Sequence, residues 1–468
     1  MLMLAIDVKI GIWGFGVVGQ SLLGYLLKQG YTNIVVYDIK DLSDNCLFAT
    51  HQVKFTTDLV TLLTTCDYIF PSPGIDLAAY QDYQAKFIFE LDLFYENWHK
   101  PIIAITGTLG KTTLTTVLAN VLNQSGVKAV AAGNVGLAMC DILSTDYELA
   151  VLELSSFQLE QCKTFAPDLA IWTNLYPNHL DRHKTFKRYL MAKANIFLQQ
   201  NSKQIALLPI SLFNNLQELG LENLDFKSQL YLFGTEQELL NLDRIIPVYL
   251  RNKIQGVFVK QGERVLLIAS PFNKSSEINI ANLKNFENID TYEINLVILA
   301  AVSYLRQLAL PTNLKFSAIA HRVEQFYTSV DGIFFYNDSK STVAEATLAA
   351  VQKLSARPVI LFLGGLSKGV DRTSLVQSLS GCVQEVICFG GEADILYHMC
   401  QKNNIKSTKF LDLESALDYC LQVAKSGNQI LFSPAGSSFD LFANYVQRGE
   451  TFKKLVLAKC INKEIRDK

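Results

Sequence analysis

The chain has 468 residues, of which 49% are hydrophobic and 18% are charged. This length suits about three domains of roughly 150 residues each, and the apolar content excludes a disordered chain. A net charge of −2 argues against a general affinity for nucleic acid or anionic membranes.

The cysteines and the N-terminus indicate where the protein works. Nine cysteines are scattered without a CxxC pair, so we expect reduced thiols rather than a disulfide framework. Asp7 interrupts the apolar N-terminus too early for a signal peptide, and no stretch approaches the ~18 apolar residues of a membrane span. These features predict a cytoplasmic protein that does not insert into a membrane.

The first segment of the chain shows alternating strand and helix patterns. VKIGIW (8–13), IVVYD (34–38) and DYIF (67–70) are typical of strands, and an amphipathic helix ending at Gly30 separates the first two. Strands that alternate with helices imply a parallel sheet. FIFELDLF (87–94) ends this segment.

The middle segment continues the alternation. VFVK and RVLLIAS around QGE predict a hairpin, and the rest of 205–290 is left unassigned. The other predicted elements are strands at 102–106, 148–155 and 168–174 and helices at about 111–125, 185–200 and 293–308. The two later strands are continuous apolar runs, as expected inside a parallel sheet.

The last segment, from about residue 311, contains four strand patterns, GIFFYND, PVILFLGG, QEVICFGG and QILFSP. Each is followed by a polar or glycine-rich turn, and ligands of open α/β sheets bind at the carboxyl ends of the strands. The whole chain therefore predicts an α/β protein with ligand sites at strand ends.

The first motif is G-x-G-x-x-G at Gly14, Gly16 and Gly19, with Asp38 at the end of the next strand. Glycines let the backbone approach a pyrophosphate at a helix N-terminus, and the acid can accept a ribose hydroxyl. NAD is the obvious ligand, but the geometry suits any nucleotide diphosphate. A tight strand–helix turn without a ligand is the structural alternative.

The second motif is AITGTLGKTT (104–113), whose two glycines are two residues closer than in the usual P-loop. Backbone N–H groups around Thr108–Gly110 can form a nest for phosphates, Lys111 offers a positive charge, and Thr112 offers a hydroxyl to magnesium. The motif predicts a nucleoside triphosphate site. The alternative is a helix N-terminus with an incidental lysine.

Further polar residues follow in the middle segment. Glu153 ends a buried strand, where a carboxylate needs a metal ion or a basic partner. His179 and His183 have the i,i+4 spacing of a zinc pair, but the glutamate of H-E-x-x-H is missing, so we favour one histidine near magnesium or substrate. His183 is equally compatible with a surface position. Lys193 lies on an apolar helix, where a snorkelling lysine is the favoured interpretation.

Four turns of the last segment offer basic, acidic and hydroxyl groups to an anionic ligand. They are HRVEQF (321–326), NDSKST (337–342), GGLSKGVDR (364–372) and SPAGSSFDLFANY (433–445). Each alone is compatible with a capping turn, but together at one sheet edge they predict a binding site.

Taken in order, these motifs resemble those of the Mur ligases, the ATP-dependent amino-acid ligases of peptidoglycan precursor synthesis. GTxGKTT, LELSSFQL, NHLDRH, the lysine of YLMAK, HR, NDSK, GGxxKG and SPAxxSFDxF all occur, and the last three are most similar to members that add D-glutamate to UDP-N-acetylmuramoyl-L-alanine. The resemblance covers nearly the whole chain. It implies a Rossmann-like domain at 1–97, a P-loop ATPase domain with a mostly parallel sheet at 98–310 and a Rossmann-like domain at 311–468.

The resemblance also assigns ligands to the predicted sites. The UDP-substrate, rather than NAD, would be held by Gly14, Phe15, Gly16, Val17, Val18, Gly19, Asp38, Ser72, Pro73, Gly74 and His179, with Asn134 at its muramoyl end. ATP would be held by Gly107, Thr108, Leu109, Gly110, Lys111, Thr112, Thr113, Asn295, Arg322 and Asp338. D-glutamate would be held by Thr342, Lys368, Ser438 and Tyr445.

Two magnesium ions are implied as well, the first bound by Thr112 and Glu153 and the second by His179 and Lys193. In the family this lysine is carbamylated, which turns a cation into an anionic oxygen ligand. The expected catalytic residues are Lys111, Glu153, His179 and Lys193. The sequence departs from the family pattern at Leu109 and Val343, and the family's His-Asn pair appears here as Tyr292-Glu293-Ile294-Asn295.

The implied reaction passes through an acyl phosphate. The alanyl carboxylate attacks the γ-phosphorus of ATP, and the amine of D-glutamate then displaces phosphate, while the protein positions the reactants and stabilises charge. We expect a monomer whose last domain closes on the second through a hinge near 308–312. The alternatives are a sister ligase for another amino acid, a nicotinamide-dependent oxidoreductase and a P-loop switch without ligase chemistry.

Overall fold

The computed structural model describes residues 5–42, 44–221, 223–273, 275–282, 293–308 and 320–466. The chain divides into two compact units, which are Met1–Leu175 with Lys187–Phe316, and Tyr176–Phe186 with Ser317–Lys468. Among the described residues, the first unit contains two sheets and the second contains one. The predicted hinge near 308–312 falls largely outside the described residues, and the predicted boundaries at 97 and 310 stay predictions.

The N-terminal sheet is parallel and consists of β1 (Ile10–Trp13), β2 (Ile34–Tyr37), β3 (Lys54–Thr56) and β4 (Tyr68–Pro71), in the order β3-β2-β1-β4. Its helices are α1 (Val17–Lys28), α2 (Cys46–His51), α3 (Leu59–Thr65) and α4 (Glu90–Asn97), with a 3-10 helix at Ala78–Lys86. Leu22, Leu23 and Leu26 recur at helical spacing on α1 and pack on the buried strands.

The central sheet consists of β5 (Ile102–Thr106), β6 (Ala129–Gly133), β7 (Leu149–Glu153), β8 (Leu169–Trp172), β9 (Ile205–Pro209), β10 (Gln229–Gly234), β11 (Ile254–Gln261), β12 (Arg264–Ala269) and β13 (Ser276–Asn282). The strand order is β13-β12-β11-β10-β9-β8-β5-β7-β6. Neighbouring strands pair in parallel along the part of this order that runs from β11 through β5 to β6. By contrast, β12 pairs antiparallel with both β11 and β13.

The helices of this middle segment are α5 (Lys111–Gln124), α6 (Met139–Ile142), α7 (Ser156–Glu160), α8 (Leu180–His183), α9 (Phe186–Leu198), α10 (Ser211–Glu218), α11 (Glu236–Leu240), α12 (Leu242–Ile245) and α13 (Glu293–Leu305), with a 3-10 helix at Val248–Lys253. Every residue of β5, β7 and β8 is buried, because α5 and α13 contribute to an apolar layer that packs on this sheet. These three predicted strands and the predicted hairpin, now β11 and β12, are confirmed.

The sheet of the second unit consists of β14 (Glu324–Thr328), β15 (Phe334–Asn337), β16 (Val359–Gly364), β17 (Glu385–Phe389), β18 (Ser407–Phe410) and β19 (Gln429–Phe432). Its order is β14-β15-β19-β16-β17-β18, and β14 pairs antiparallel with β15. The helices are α14 (Ala344–Lys353), α15 (Thr373–Leu379), α16 (Ala393–Lys402), α17 (Leu413–Val423) and α18 (Tyr445–Arg466). The four predicted strands and the α/β class are confirmed.

Candidate active site

The loop between β5 and α5 has the geometry of a phosphate loop. Gly107 has a φ of 144° and Gly110 a φ of 79°, and a Cβ on Gly107 would lie 2.0 Å from Oγ1 of Thr173. Nζ of Lys111 donates hydrogen bonds to the carbonyl oxygens of Gly107 (2.9 Å) and Thr108 (3.1 Å). The ammonium group therefore lies over the loop, at a helix N-terminus that favours anions.

The residues after β8 hold this loop from the side. The N–H of Thr108 donates to the carbonyl oxygen of Asn174 (3.1 Å), and the N–H of Leu109 donates to Oδ1 of the same residue (2.8 Å). The carbonyl oxygen of Leu109 accepts from Nδ2 of Asn174 (3.1 Å) and from Oγ1 of Thr173 (2.7 Å). Two N–H groups predicted to cradle phosphate are thus engaged by Asn174 in this structure. The departure at Leu109 is tolerated because these hydrogen bonds use its backbone.

Lys193, on α9, lies buried against the same loop. The residue is 2% exposed, and its Nζ donates to the carbonyl oxygen of Gly107 (2.8 Å) and to Oγ1 of Thr106 (3.3 Å). Burial, followed by the charge of Lys111, holds the pKa of Lys193 well below its usual value, and Glu153 opposes this shift. The snorkelling interpretation is therefore wrong, because the whole side chain is enclosed.

Glu153 ends β7 opposite Ile105 of β5 and is 2% exposed. Its Oε1 accepts a hydrogen bond from Nδ2 of Asn134 (2.8 Å), so two predicted site residues are in contact. Thr112, in the first turn of α5, is 4% exposed. A carboxylate and a hydroxyl at adjacent strand and helix ends fit magnesium, which prefers oxygen ligands.

Asn295 lies beside the phosphate loop, although it is distant from it in sequence. The Cβ position of Gly110 lies 3.3 Å from Oδ1 and 3.6 Å from Nδ2 of Asn295, which is 2% exposed on α13. Thr113 is likewise buried in the first turn of α5. The structure therefore places Asn295 and Thr113, which are both predicted to hold ATP, beside the loop.

The glycine-rich loop between β1 and α1 closes tightly on itself. A Cβ on Gly19 would lie 2.2 Å from the carbonyl oxygen of Gly14, which itself accepts a hydrogen bond from Oγ of Ser72 (3.2 Å). Oδ2 of Asp38 accepts the N–H of Phe15 (2.8 Å), so this carboxylate shapes the loop. The other residues predicted for this site lie at the start of α1 or just after β4: Gly16, Val17, Val18, Pro73 and Gly74.

The four predicted turns of the second unit converge beyond β15, β19 and β16, which are neighbours in the sheet. Oδ1 of Asp338 accepts the N–H of Val323 (3.2 Å), and its Oδ2 accepts from Oγ of Ser433 (2.6 Å). Leu366 and Ser437 form an antiparallel bridge. The four turns therefore lie at one edge of the sheet, as predicted, and their binding role stays a prediction.

Asp338 and Arg322, both predicted to face ATP, interact in this cluster. Burial raises the pKa of Asp338 to about 6, while hydrogen bonds from Ser341 and Ser433 and the positive charge of Arg322 oppose the shift. Asp338 is 2% exposed. Its carboxylate therefore titrates closer to neutral pH than an exposed aspartate does.

The residues predicted to hold D-glutamate occupy the same edge. Nζ of Lys368, a residue with a φ of 56°, donates to Oγ1 of Thr342 (3.1 Å), which joins two of the four. Ser438 is 3% exposed, and its carbonyl oxygen accepts the N–H of Phe442 (2.9 Å). Tyr445 begins α18.

The histidines precede and end α8 in the second unit. His179 is the N-cap residue with a φ of 55°, and His183 is 1% exposed, so a surface position for His183 is wrong. Lys193, the predicted partner of His179 at the second metal, belongs to the first unit.

Among the residues that the structure describes, no three His, Cys, Asp or Glu side chains form a metal-binding group. None of the described helices is long and apolar enough to cross a membrane.

Sequence reasoning missed the residues that shape the loops. Thr173 and Asn174 fix the phosphate loop, and their signal was a polar pair directly after a buried strand. Arg372 donates to the carbonyl oxygens of Gly364 (3.0 Å) and Gly365 (3.2 Å) and pairs with Glu392. These positioning contacts link residues that are distant in sequence, which no local motif reveals.

Comparisons with known proteins cover both units. Residues 105–283 match the Mur ligase middle domain, and residues 9–79 match the MurD N-terminal domain. The chain is 31% identical to the UDP-N-acetylmuramoylalanine--D-glutamate ligase of Alkaliphilus metalliredigens, over 96% of this chain and 97% of that protein. It is 32% identical to the ligase of the same name from Streptococcus agalactiae, over 82% and 81% of the two chains.

Solved structures share the fold. MurF ligase from Thermotoga maritima in complex with ADP aligns with a TM-score of 0.56 at 15% identity, over 98% of this chain and 96% of that one. UDP-N-acetylmuramate-alanine ligase MurC from the same organism aligns with a TM-score of 0.55 at 14% identity, over 97% and 100%.

Proposed function

Because the chain belongs to the Mur ligase family, we propose that it uses ATP to join D-glutamate to UDP-N-acetylmuramoyl-L-alanine in peptidoglycan precursor synthesis. The observation that carries this proposal is the match to almost the full length of D-glutamate ligases, in a chain whose predicted phosphate loop places Lys111 over Gly107. We also propose that the protein acts in the cytoplasm as a monomer of 52.3 kDa, which light scattering can check.

The phosphate loop supplies the first half of the proposed reaction. Lys111 and the N-terminus of α5 would bind the triphosphate and reduce its repulsion of the incoming alanyl carboxylate. The carboxylate takes the γ-phosphoryl group to give an acyl phosphate and ADP. Thr112 and Glu153 would hold a magnesium ion, which neutralises phosphate charge when bound.

The second unit supplies the second half. The amine of D-glutamate attacks the acyl phosphate, and phosphate leaves as the amide forms. Lys368 would hold a carboxylate of D-glutamate, with Thr342, Ser438 and Tyr445 completing the pocket. Arg322 and Asp338 would face the nucleotide from the same cluster, whose turns the hydrogen bonds of Asp338 already join.

We further propose that Lys193 is carbamylated and, with His179, holds a second magnesium ion. Burial disfavours the ammonium form of Lys193, and the neutral amine adds CO2 to give a carbamate and a proton. A carbamate beside Lys111 would be attracted to its ammonium group, whereas an ammonium group on Lys193 would be repelled. Asn295 would contact the adenine nucleotide from its position beside Gly110.

The test of the reaction is phosphate release from ATP in the presence of UDP-N-acetylmuramoyl-L-alanine and one of D-glutamate, L-glutamate or L-alanine. We expect release with D-glutamate only. A preference for another amino acid would identify a sister ligase, and release without any amino acid would indicate a P-loop switch. Quenching of NADH fluorescence by the protein would instead support a nicotinamide enzyme.

Carbamylation has a readout that does not depend on activity. Protein equilibrated with 13C-bicarbonate should show a carbamate carbon signal by NMR that disappears on acidification and is missing from Lys193→Ala. An exposed lysine variant, Lys203→Ala, serves as the matched control and should keep the signal. Identical spectra for the wild type and Lys193→Ala would refute the modification.

A further inference from the structure

Arg448, in the first turn of α18, is fully buried and uses all three of its guanidinium nitrogens as donors. Nε donates to Oγ of Ser339 (3.0 Å), Nη2 to the carbonyl oxygen of Ser339 (2.7 Å) and Nη1 to the carbonyl oxygen of Gly436 (3.0 Å). These acceptors lie on two different turns, after β15 and after β19. The two turns follow paired strands and are already joined by the hydrogen bond from Ser433 to Asp338, and the guanidinium adds three hydrogen bonds on the α18 side.

A second hydrogen bond extends this network to a third segment. Oγ of Ser339 donates to the carbonyl oxygen of Tyr445 (2.8 Å), while the same oxygen accepts from Arg448. Ser339 follows Asp338 in the chain, and Gly436 precedes Ser438 by two residues. Each connected segment thus carries a residue predicted to hold ATP or D-glutamate.

The surroundings leave little freedom for this arrangement. A Cβ on Gly365 would lie 2.9 Å from Nη1 of Arg448, and a Cβ on Gly436 would lie 2.4 Å from the carbonyl oxygen of Gly364. A planar guanidinium can meet three acceptors in fixed directions, whereas the single ammonium group of lysine cannot. The site is therefore built around the shape of arginine.

Stability alone does not account for a buried arginine. Burial of a cation carries a large desolvation cost, and apolar residues of similar volume often stabilise a core as well or better. The three acceptors are neutral, and burial lowers the pKa of Arg448 to about 10, although the charges of Asp440 and Asp338 oppose this shift. A role in binding explains why such a costly group occupies this position.

We propose that Arg448 is a positioning residue for the amino-acid substrate, because it fixes the turns of Ser339 and Gly436 and the start of α18 in one geometry. This proposal rests on the proposed ligase function and deepens it. Loss of the guanidinium would let Ser438 and Tyr445 move relative to Asp338. The affinity for D-glutamate should fall, while the UDP-substrate site, whose predicted residues other than His179 lie in the first unit, should be unaffected.

The experiment measures KM for D-glutamate, ATP and UDP-N-acetylmuramoyl-L-alanine in Arg448→Lys and Arg448→Gln. We expect KM for D-glutamate to rise about tenfold in Arg448→Lys, which keeps the charge, and about 100-fold in Arg448→Gln. KM for the UDP-substrate should stay within about twofold. Arg357→Gln, an exposed arginine stacked on Phe334 in the same unit, is the control and should match the wild type.

Two outcomes would overturn the proposal. One is an unchanged KM for D-glutamate in folded Arg448 variants, and the other is an equal rise in KM for all three substrates. If Arg448→Gln does not fold by circular dichroism, Ser339→Ala decides, because it removes only the hydroxyl between Arg448 and Tyr445. A rise of about fivefold in its KM for D-glutamate supports the role, and a wild-type value rejects it.

The ligase function itself is tested by the wild type alone. Wild-type protein without D-glutamate-dependent phosphate release would reject that function, whatever the variants do. The KM comparison would then be made with the amino acid that the wild type uses, so the role of Arg448 is judged separately.

Discussion

Replacing Gly107 by alanine should damage ATP use far more than it damages folding. The new Cβ would lie 2.0 Å from Oγ1 of Thr173, whereas real Cβ contacts essentially never fall below 3.0 Å, so the loop or Thr173 must move by about 1 Å. A displacement of about 1 Å in a reacting site can cost about 100-fold in rate, or about 2.7 kcal/mol. We therefore expect kcat/KM for ATP to fall about 100-fold.

The matched control is Gly126→Ala, just beyond the end of α5. Gly126 also has a positive φ, of 86°, but no atom lies within 4 Å of its Cβ position. This variant should lose about 1 kcal/mol of stability through backbone strain and keep its kcat/KM for ATP. The comparison separates the cost of a left-handed backbone from the cost of the collision.

A double variant tests the collision directly. Thr173→Ala alone removes the hydrogen bond from Oγ1 to the carbonyl oxygen of Leu109, which should cost about 1 kcal/mol. Added to Gly107→Ala, it removes the clashing atom and should restore kcat/KM for ATP at least about tenfold. Phosphate release at varied ATP is the assay. Equal effects of Gly107→Ala and Gly126→Ala, or no recovery in the double variant, would refute this reasoning.

Three further variants probe other parts of the molecule. Burial raises the pKa of Glu90 from 4.5 to about 8, so between these values the folded protein retains a proton that the unfolded protein loses. The stability of the wild type should therefore fall as pH rises through this window. The melting-temperature advantage of Glu90→Gln over the wild type should grow between pH 5 and pH 8 in scanning fluorimetry, and a constant difference would contradict this. Asp38→Ala removes the acceptor for the N–H of Phe15 and should raise KM for the UDP-substrate about tenfold, with KM for ATP unchanged as the control. Lys368→Met should raise KM for D-glutamate about 100-fold in steady-state kinetics, and an unchanged KM would remove Lys368 from the pocket.

Local patterns predicted the parts of the fold that are local in origin. The strand, the two glycines and the helix around Lys111 lie within 25 residues, and the structure reproduces them. The apolar runs of the central strands were equally clear, because a strand buried on both faces has no polar alternation. β18, with the sequence STKF at the edge of its sheet, has no such run and was not predicted.

The residues that sequence misjudged are those whose role depends on distant partners. Asn174 contacts Leu109 across 65 residues, and Arg448 contacts Ser339 across 109. The local pattern favoured a snorkelling Lys193, because one charge on an apolar helix is compatible with a side chain that reaches solvent, and only the family resemblance assigned it to a metal site. Only the folded structure, in which its Nζ donates to Thr106 and Gly107, shows that it is buried.

The amino groups of Lys111 and Lys193 both lie against the phosphate loop. Both donate to the carbonyl oxygen of Gly107, Lys111 at 2.9 Å and Lys193 at 2.8 Å, so two amino groups share one acceptor. Two ammonium charges this close repel each other strongly away from water, which is why Lys111 contributes to the lowered pKa of Lys193. An anion would relieve this repulsion, whether it came as the triphosphate oxygens proposed beside Lys111 or as the carbamate proposed on Lys193. Either way the repulsion is avoided, because the lowered pKa of Lys193 favours its neutral amine until an anion binds.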